Sequence, residues 1–231
     1  PYPCQVVRHG GARRMTLRVG PSGVRLTVPP RASARQIDSF LRASESWVAE
    51  QRRRLAPAPP PLRDGDRLAY LDDVLLLEVA PARGRRAAAG REGSRLTVTA
   101  PAGDDPGRLV EGWYRREAAR VIAPRAQAAA AALGGQAGRI AIRDPRSRWG
   151  SCSSTGTLSF SWRLLLAPET VLDYVVAHEA CHLRRPDHSP AFWALVADAF
   201  PAHAGARAWL RENGARLHRG PAWRWEGLSP S

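Results

Sequence analysis

Hydrophobic and polar positions alternate twice near the start of the chain. The two runs are Met15-Thr16-Leu17-Arg18-Val19 and Val24-Arg25-Leu26-Thr27-Val28, with Pro21-Ser22-Gly23 between them. A period of two on either side of a turn predicts a β-hairpin with one apolar face. The period then lengthens. Ile37, Phe40, Leu41, Trp47 and Val48 recur at helical spacing and predict one buried stripe. Ser33 and Gln36 stand at the N-cap and N3 positions of a capping box. Arg52-Arg53-Arg54 suits the C-terminal end of that helix. The proline-rich run 56–61 reads as a stiff, extended linker. Beyond it, strands are predicted over 67–71, 74–79 and 95–99, with 83–93 an exposed loop.

The second half opens on Asp104-Asp105-Pro106 and a long helical pattern carrying Leu109, Val110, Trp113, Tyr114, Ala118 and Val121. Pro124 is expected to kink or break it, because proline removes a ladder hydrogen bond and crowds the preceding turn. The alanines of 128–132 resume the helix and Gly134-Gly135 end it. A strand follows over 139–143. In 157–163, Leu158, Phe160 and Trp162 alternate with Thr157, Ser159 and Ser161, giving a strand with one buried face. Pro168-Glu169 start a helix that runs to about Leu183, and Pro186 blocks its continuation. Ser189-Pro190, an N-cap and first-turn pair, start the next helix, with Phe192, Trp193, Leu195, Val196 and Phe200. There is no internal repeat. The pattern predicts an α+β protein with a mixed α/β subdomain over 1–100 and a chemistry-bearing half over 101–231.

That chemistry lies in His178-Glu179-Ala180-Cys181-His182. On a helix, His178 and His182 are one turn apart on the same face, a spacing that lets two imidazoles hold one divalent metal. Glu179 stands beside them, where a base for metal-activated water is needed. Catalytic zinc usually takes three protein ligands and leaves a position open. His188, at the mouth of the following helix, is the expected third ligand, with Asp187 and Asp198 as carboxylate alternatives. Cys152 and Cys181 read as small buried residues. His9, His203 and His218 read as solvated, and the tail 223–225 as an aromatic clasp on the surface. Trp149 reads as core. Two readings of Arg148 stay open: it steadies a substrate carboxylate or oxyanion, or it pairs with a structural acid.

The spacing of the three histidines is that of metzincins, but Arg185 stands where those enzymes have glycine, and the only methionine, Met15, is far upstream. The chain instead resembles the YgjP-like predicted metal-dependent hydrolases, which are related to the WLM and SprT-like zinc peptidases. The likeness rests on Ser147-Arg148-Trp149-Gly150-Ser151-Cys152, the strand 157–163, Tyr174 to Leu183 around the histidine pair, and Asp187-His188-Ser189-Pro190-Ala191-Phe192-Trp193. The N-terminal hairpin and the Ser46-Trp47-Val48 helix fit as well. The chain departs from the family pattern at Ala180-Cys181, which places a thiol near the site, and at Asp187. The resemblance implies a zincin-like catalytic half, its histidine helix packed against a small sheet. It also implies one zinc ion on His178, His182 and His188, Glu179 as base, and a peptide or protein substrate. By analogy of fold, the strand 157–163 is expected to run along the cleft and pair with an extended substrate.

Composition adds limits. The formal net charge is +14, and all 35 basic residues are arginine. Such a balance reads as a solvated basic surface, with a nucleic-acid partner left open. Three widely spaced cysteines give no disulfide framework, and there is no charged-then-apolar leader, so a cytoplasmic protein is expected. No apolar run approaches the roughly 20 residues of a membrane span. A second function class also stands: a non-catalytic, nucleic-acid-binding module whose zinc is structural, with Cys152 or Cys181 as a fourth ligand.

Overall fold

The alternating runs at 15–28 do form a hairpin. Strand β2 (Thr16–Gly20) pairs antiparallel with β3 (Gly23–Val28), and Val24, Leu26 and Val28 turn into a small core. An additional strand, β1 (Cys4–Arg8), lies parallel to β3 on its other side. Its residues do not alternate, and the sequence pattern does not mark it. The computed structural model describes residues 3–20, 23–54, 60–82, 87–101, 105–145 and 147–218, the side chains of Arg53 and Arg54 excepted. The proline-rich linker falls largely outside these residues, as does the tail at 223–225.

The expected single helix after Pro30 is two, α1 (Ala34–Ala43) and α2 (Glu45–Arg54). The capping box on Ser33 and Gln36 forms as the spacing predicts. The interruption is at Ser44, whose Oγ donates to the Phe40 carbonyl at 2.8 Å. A serine hydroxyl bonding back four residues competes with the helical ladder. The stripe is broken as a result: Val48 is fully buried, but Trp47 is 46% exposed.

The chain divides into two compact units, Pro1–Pro59 and Pro60–Ser231. The division thus falls in the proline-rich segment, not at residue 100 where the pattern suggested it. In the second unit β4 (Arg67–Tyr70), β5 (Asp73–Pro81), β6 (Ala88–Glu92) and β7 (Arg95–Ala100) form a mixed sheet in the order β4-β5-β7-β6. β6 lies in the stretch read as a loop. It pairs antiparallel with β7 from Ala88 to Glu92, an edge strand too poor in β-branched residues to announce itself. Leu71 bridges β4 and β5 at φ +52°, and its N–H donates to the Leu165 carbonyl at 2.7 Å. That bond ties the sheet's edge to the 3-10 turn Trp162–Leu166.

Helix α3 (Pro106–Ala132) is the centre of this unit. It runs unbroken through Pro124, contrary to the expectation of a break. Ala118, Ile122, Ala126 and Ala130 keep a four-residue register across the proline, and all are fully buried. Immediately after the proline, Arg125 bonds Glu169 and Asp173. Both acids belong to the histidine-bearing helix α4 (Glu169–Cys181). A continuous buried face and an interhelical tie outweigh the roughly 3 kcal/mol that an interior proline costs. A second sheet, β8 (Ile140–Arg143), β10 (Leu158–Ser161) and β9 (Gly150–Cys152), has β10 in the middle. Leu158, Phe160 and Trp162 are buried as their alternation predicts. Helices α5 (Pro190–Ala199) and α6 (His203–His218) complete the unit. Among the described residues this is a mixed α+β architecture of six helices and three small sheets, and no helix is long and apolar enough to cross a membrane.

Candidate metal centre

Helix α4 opens on Pro168 with Glu169 in its first turn and carries His178 in its last; His182 is its C-cap. The chain then turns, and Ser189 caps α5 by accepting from the Phe192 N–H. This turn returns His188 to the pair. One ligand atom from each of His178, His182 and His188 lies within 4.8 Å of the others, and the Nε2 atoms of His178 and His188 are 3.4 Å apart. Two nitrogens bound tetrahedrally at Zn–N distances of 2.0–2.1 Å would stand about 3.4 Å apart. Asp187 and Asp198 are not in the group. Asp187 instead accepts the Ser189 hydroxyl at 2.9 Å. Neither Cys152 nor Cys181 joins it, so no fourth protein ligand closes the group among the described residues.

The imidazoles are prepared for a cation. His182 Nδ1 lies 2.9 Å from the Arg185 carbonyl. A carbonyl can only accept, so Nδ1 carries the proton and Nε2 keeps its lone pair. Burial, with the neighbouring imidazoles and Arg207 adding to it, depresses the pKa of His178 to about 4. Burial also lowers that of His182. His178 is therefore neutral at pH 7, as metal ligation requires. The buried Nδ1 of His178 has no hydrogen-bond partner among the described residues. Phe192 sets the ring planes. It is fully buried, stacked on His182 at 4.4 Å, and edge-on to His178 at 5.0 Å and His188 at 4.9 Å. The pattern placed Phe192 on an apolar stripe only; its spacing of four from His188 was the available signal.

Glu179 is 6% exposed, and burial pushes its carboxyl up to about 7 against the opposing influence of Arg148. Its room comes from Gly150. A Cβ there would stand 2.5 Å from Glu179 Cγ and 2.6 Å from Oε1, closer than any real contact. Sequence alone gives Gly150 no more than a place in the run 147–152. A glycine inside a short strand marks a close approach of this kind. Both groups line a cleft of about 1100 Å³ with the histidines. Cys152 lines it too, whereas Cys181 is wholly buried and its thiol is raised to about 11 by burial. The thiol at the cleft is therefore Cys152, not the Cys181 that the pattern suggested. Trp149 packs on α6, its ring 4.2 Å from His218. His218 is thus half-buried rather than solvated.

The expected pairing of 157–163 with a substrate needs correction. β10 lies within that span and is flanked by β8 and β9 on its two sides, so its backbone is occupied. β9 is an edge strand, and its residues line the cleft. Ser161 N–H donates to the Trp149 carbonyl and Ser153 N–H to that of Thr157. Antiparallel pairing alternates, so Trp149, Ser151 and Ser153 face β10. The backbone groups of Gly150 and Cys152 are left for the free edge.

The solved crystal structure of the metallopeptidase zymogen of Pyrococcus abyssi abylysin is similar at 25% identity, over 43% of this chain and 98% of that one, with a TM-score of 0.37. No curated protein matches the sequence. The family model described as YgjP-like, metallopeptidase domain, matches residues 13–213. With that match spanning most of its length, the chain belongs to the YgjP-like metallopeptidase family.

Proposed function

We propose that this protein is a zinc peptidase of zincin type, with His178, His182 and His188 as metal ligands and Glu179 as general base. One observation carries the reading: three imidazoles converge beside a buried carboxylate, in a cleft bordered by an unpaired strand edge. A zinc ion held there supplies a Lewis acid that polarises the scissile carbonyl and lowers the pKa of a water from 15.7 towards about 7. Glu179 takes the attacking water's proton on a carboxylate oxygen and passes it to the leaving amine nitrogen. Its burial suits both steps, because a conjugate acid near neutrality gives a proton up as readily as it takes one. Gly150 and Cys152 present backbone N–H and C=O groups to an extended peptide, which would add as a further strand. The Arg185 carbonyl and the Phe192 ring hold the ligand rings in place.

The test is metal content by plasma emission together with hydrolysis of a peptide library and an unfolded protein. One zinc per chain is expected. Glu179→Gln should keep the metal and lose activity by roughly a hundredfold or more. A wild type that holds zinc stoichiometrically and cleaves nothing would sink the peptidase reading.

A further inference from the structure

Several arginines of this unit have built partners: Arg125 bonds Glu169 and Asp173, Arg115 bonds Glu111 and Asp144, and Arg163 bonds Asp144 and the Leu217 carbonyl. Arg207, whose charge reaches His178, lies over the Trp193 ring at 4.6 Å. Arg148 is different. It is exposed, it lines the cleft, and among the described residues no acid forms an ion pair with it. It stands two residues before Gly150, the position that makes room for the Glu179 carboxylate. Arg184 also lines the cleft, but its guanidinium lies against Gly134 at the C-terminal end of α3, where helix carbonyls favour a cation. Among the described lining residues Glu179 is the sole acid, and it is buried. Arg148 thus feels the buried Glu179 carboxylate, but no acid of the cleft reaches it in a hydrogen-bonded ion pair among the described residues.

We propose that Arg148 is a specificity-determining residue that receives a substrate carboxylate, so that the cleft takes peptides with an acidic group close to the scissile bond. This rests on the peptidase reading above and names its substrate class. A peptide added along β9 beside Gly150 sets its reacting carbonyl near Glu179. Strand residues rise about 3.3 Å each, so side chains one or two residues away come within reach of the guanidinium. A carboxylate is the group that its planar fork matches. The carboxylate can be an Asp or Glu side chain or the peptide's own C-terminus.

Binding decides this independently of turnover. Fluorescent peptides, matched except for Glu against Gln at positions flanking the cleavable bond, and for a free against an amidated C-terminus, are titrated by anisotropy. The protein is zinc-loaded full chain carrying Glu179→Gln. The acidic peptides should bind about fivefold more tightly, the scale of a solvent-exposed charge pair. Adding Arg148→Gln should erase that advantage, and Arg148→Glu should invert it. Arg116→Gln, which removes the same charge from the exposed side of α3, should leave it intact. Whichever modification abolishes the advantage identifies the source as side chain or terminus. Equal binding of acidic and neutral peptides, an advantage that survives Arg148→Gln, or no binding at all overturns the assignment. Wild-type hydrolysis without acidic preference sinks this assignment alone, whereas absence of hydrolysis sinks the peptidase reading.

Discussion

Glu179 and Gly150 form one device. A carboxylate sits in the wall of the cleft only because the strand opposite has no side chain where it lies. Gly150→Ala forces the Glu179 side chain out of its place. We expect it to lose about 1–3 kcal/mol of stability, the usual scale of overpacking. Peptidase activity should fall by about a hundredfold, because Glu179, the proposed base, is displaced. Thermal melts and kcat/KM check both, and a fully active alanine variant would show that Glu179 is free to lie elsewhere. Glu179 also makes a pH-dependent contribution. Its folded pKa, about 7, lies above its ordinary value of 4.5. Below about pH 4.5 both folded and unfolded states hold the proton. As pH rises through 7 the unfolded state gives it up first, and stability is lost. In chelator-treated protein Glu179→Gln should therefore flatten the decline between pH 4.5 and 7. Its advantage above pH 7 should be about 3 kcal/mol. Denaturant melts across that range would reveal no difference if the carboxylate were solvated. The histidines and the glutamate were legible in their spacing. Gly150, the Phe192 ring and the Arg185 carbonyl were not, because what they touch lies elsewhere in the chain or is backbone.

At the scale of elements, two interruptions came out opposite to their local signals. Ser44, a residue tolerated in helices, divides α1 from α2, while Pro124, a helix breaker, sits inside α3. Packing decides in each case. Ala118, Ile122, Ala126 and Ala130 bury one continuous face, and Arg125 ties it to the acids of α4. The proline is thus carried at a cost. Pro124→Ala restores the N–H that would reach the Arg120 carbonyl. After the entropy returned to the unfolded chain, it should stabilise the protein by about 2 kcal/mol. Activity should not change. A lower midpoint in denaturant would mean that the neighbouring elements are shaped around the proline. Among the strands of the second unit, β6 and β9 are the least visible in sequence. One is an edge strand of small and charged residues, and the other is three residues long. Periodicity needs more residues than β9 has.

Across the whole molecule, the family's metal is expected to act as part of the fold. The three histidines come from α4, its C-cap and the entry to α5, so a cation bound by all three would add a link between helices already packed through Phe192. Anything that binds only the folded state stabilises it by mass action. Chelation should therefore lower the melting temperature by several degrees, and zinc should restore it. His188→Ala should remove most of that difference. An unchanged melting temperature on chelation would mean that the three imidazoles hold no ion in solution. The two compact units meet in sequence at the proline-rich run, which composition alone had marked as a linker. Placing the boundary at residue 100 instead followed a change in motif density. The sheet β4–β7 carries no chemistry, yet Leu68, Leu75, Leu77, Leu96 and Val98 belong to the same core as α3 and α4.

The sequence by itself determined the three histidines and the helical spacing of His178 and His182, the caps at Ser33 and Ser189, and the buried faces of β3 and β10. Those are short-range properties, set by periods of two and 3.6 residues and by which side chains can accept from a nearby N–H. Only the tertiary structure decided that His188 closes on the pair, that Gly150 opens a place for Glu179, and that β9 is a free edge. It also decided that Pro124 is absorbed. Each of these depends on contacts between separate elements, where the gain from burying a shared face exceeds what any local preference can oppose.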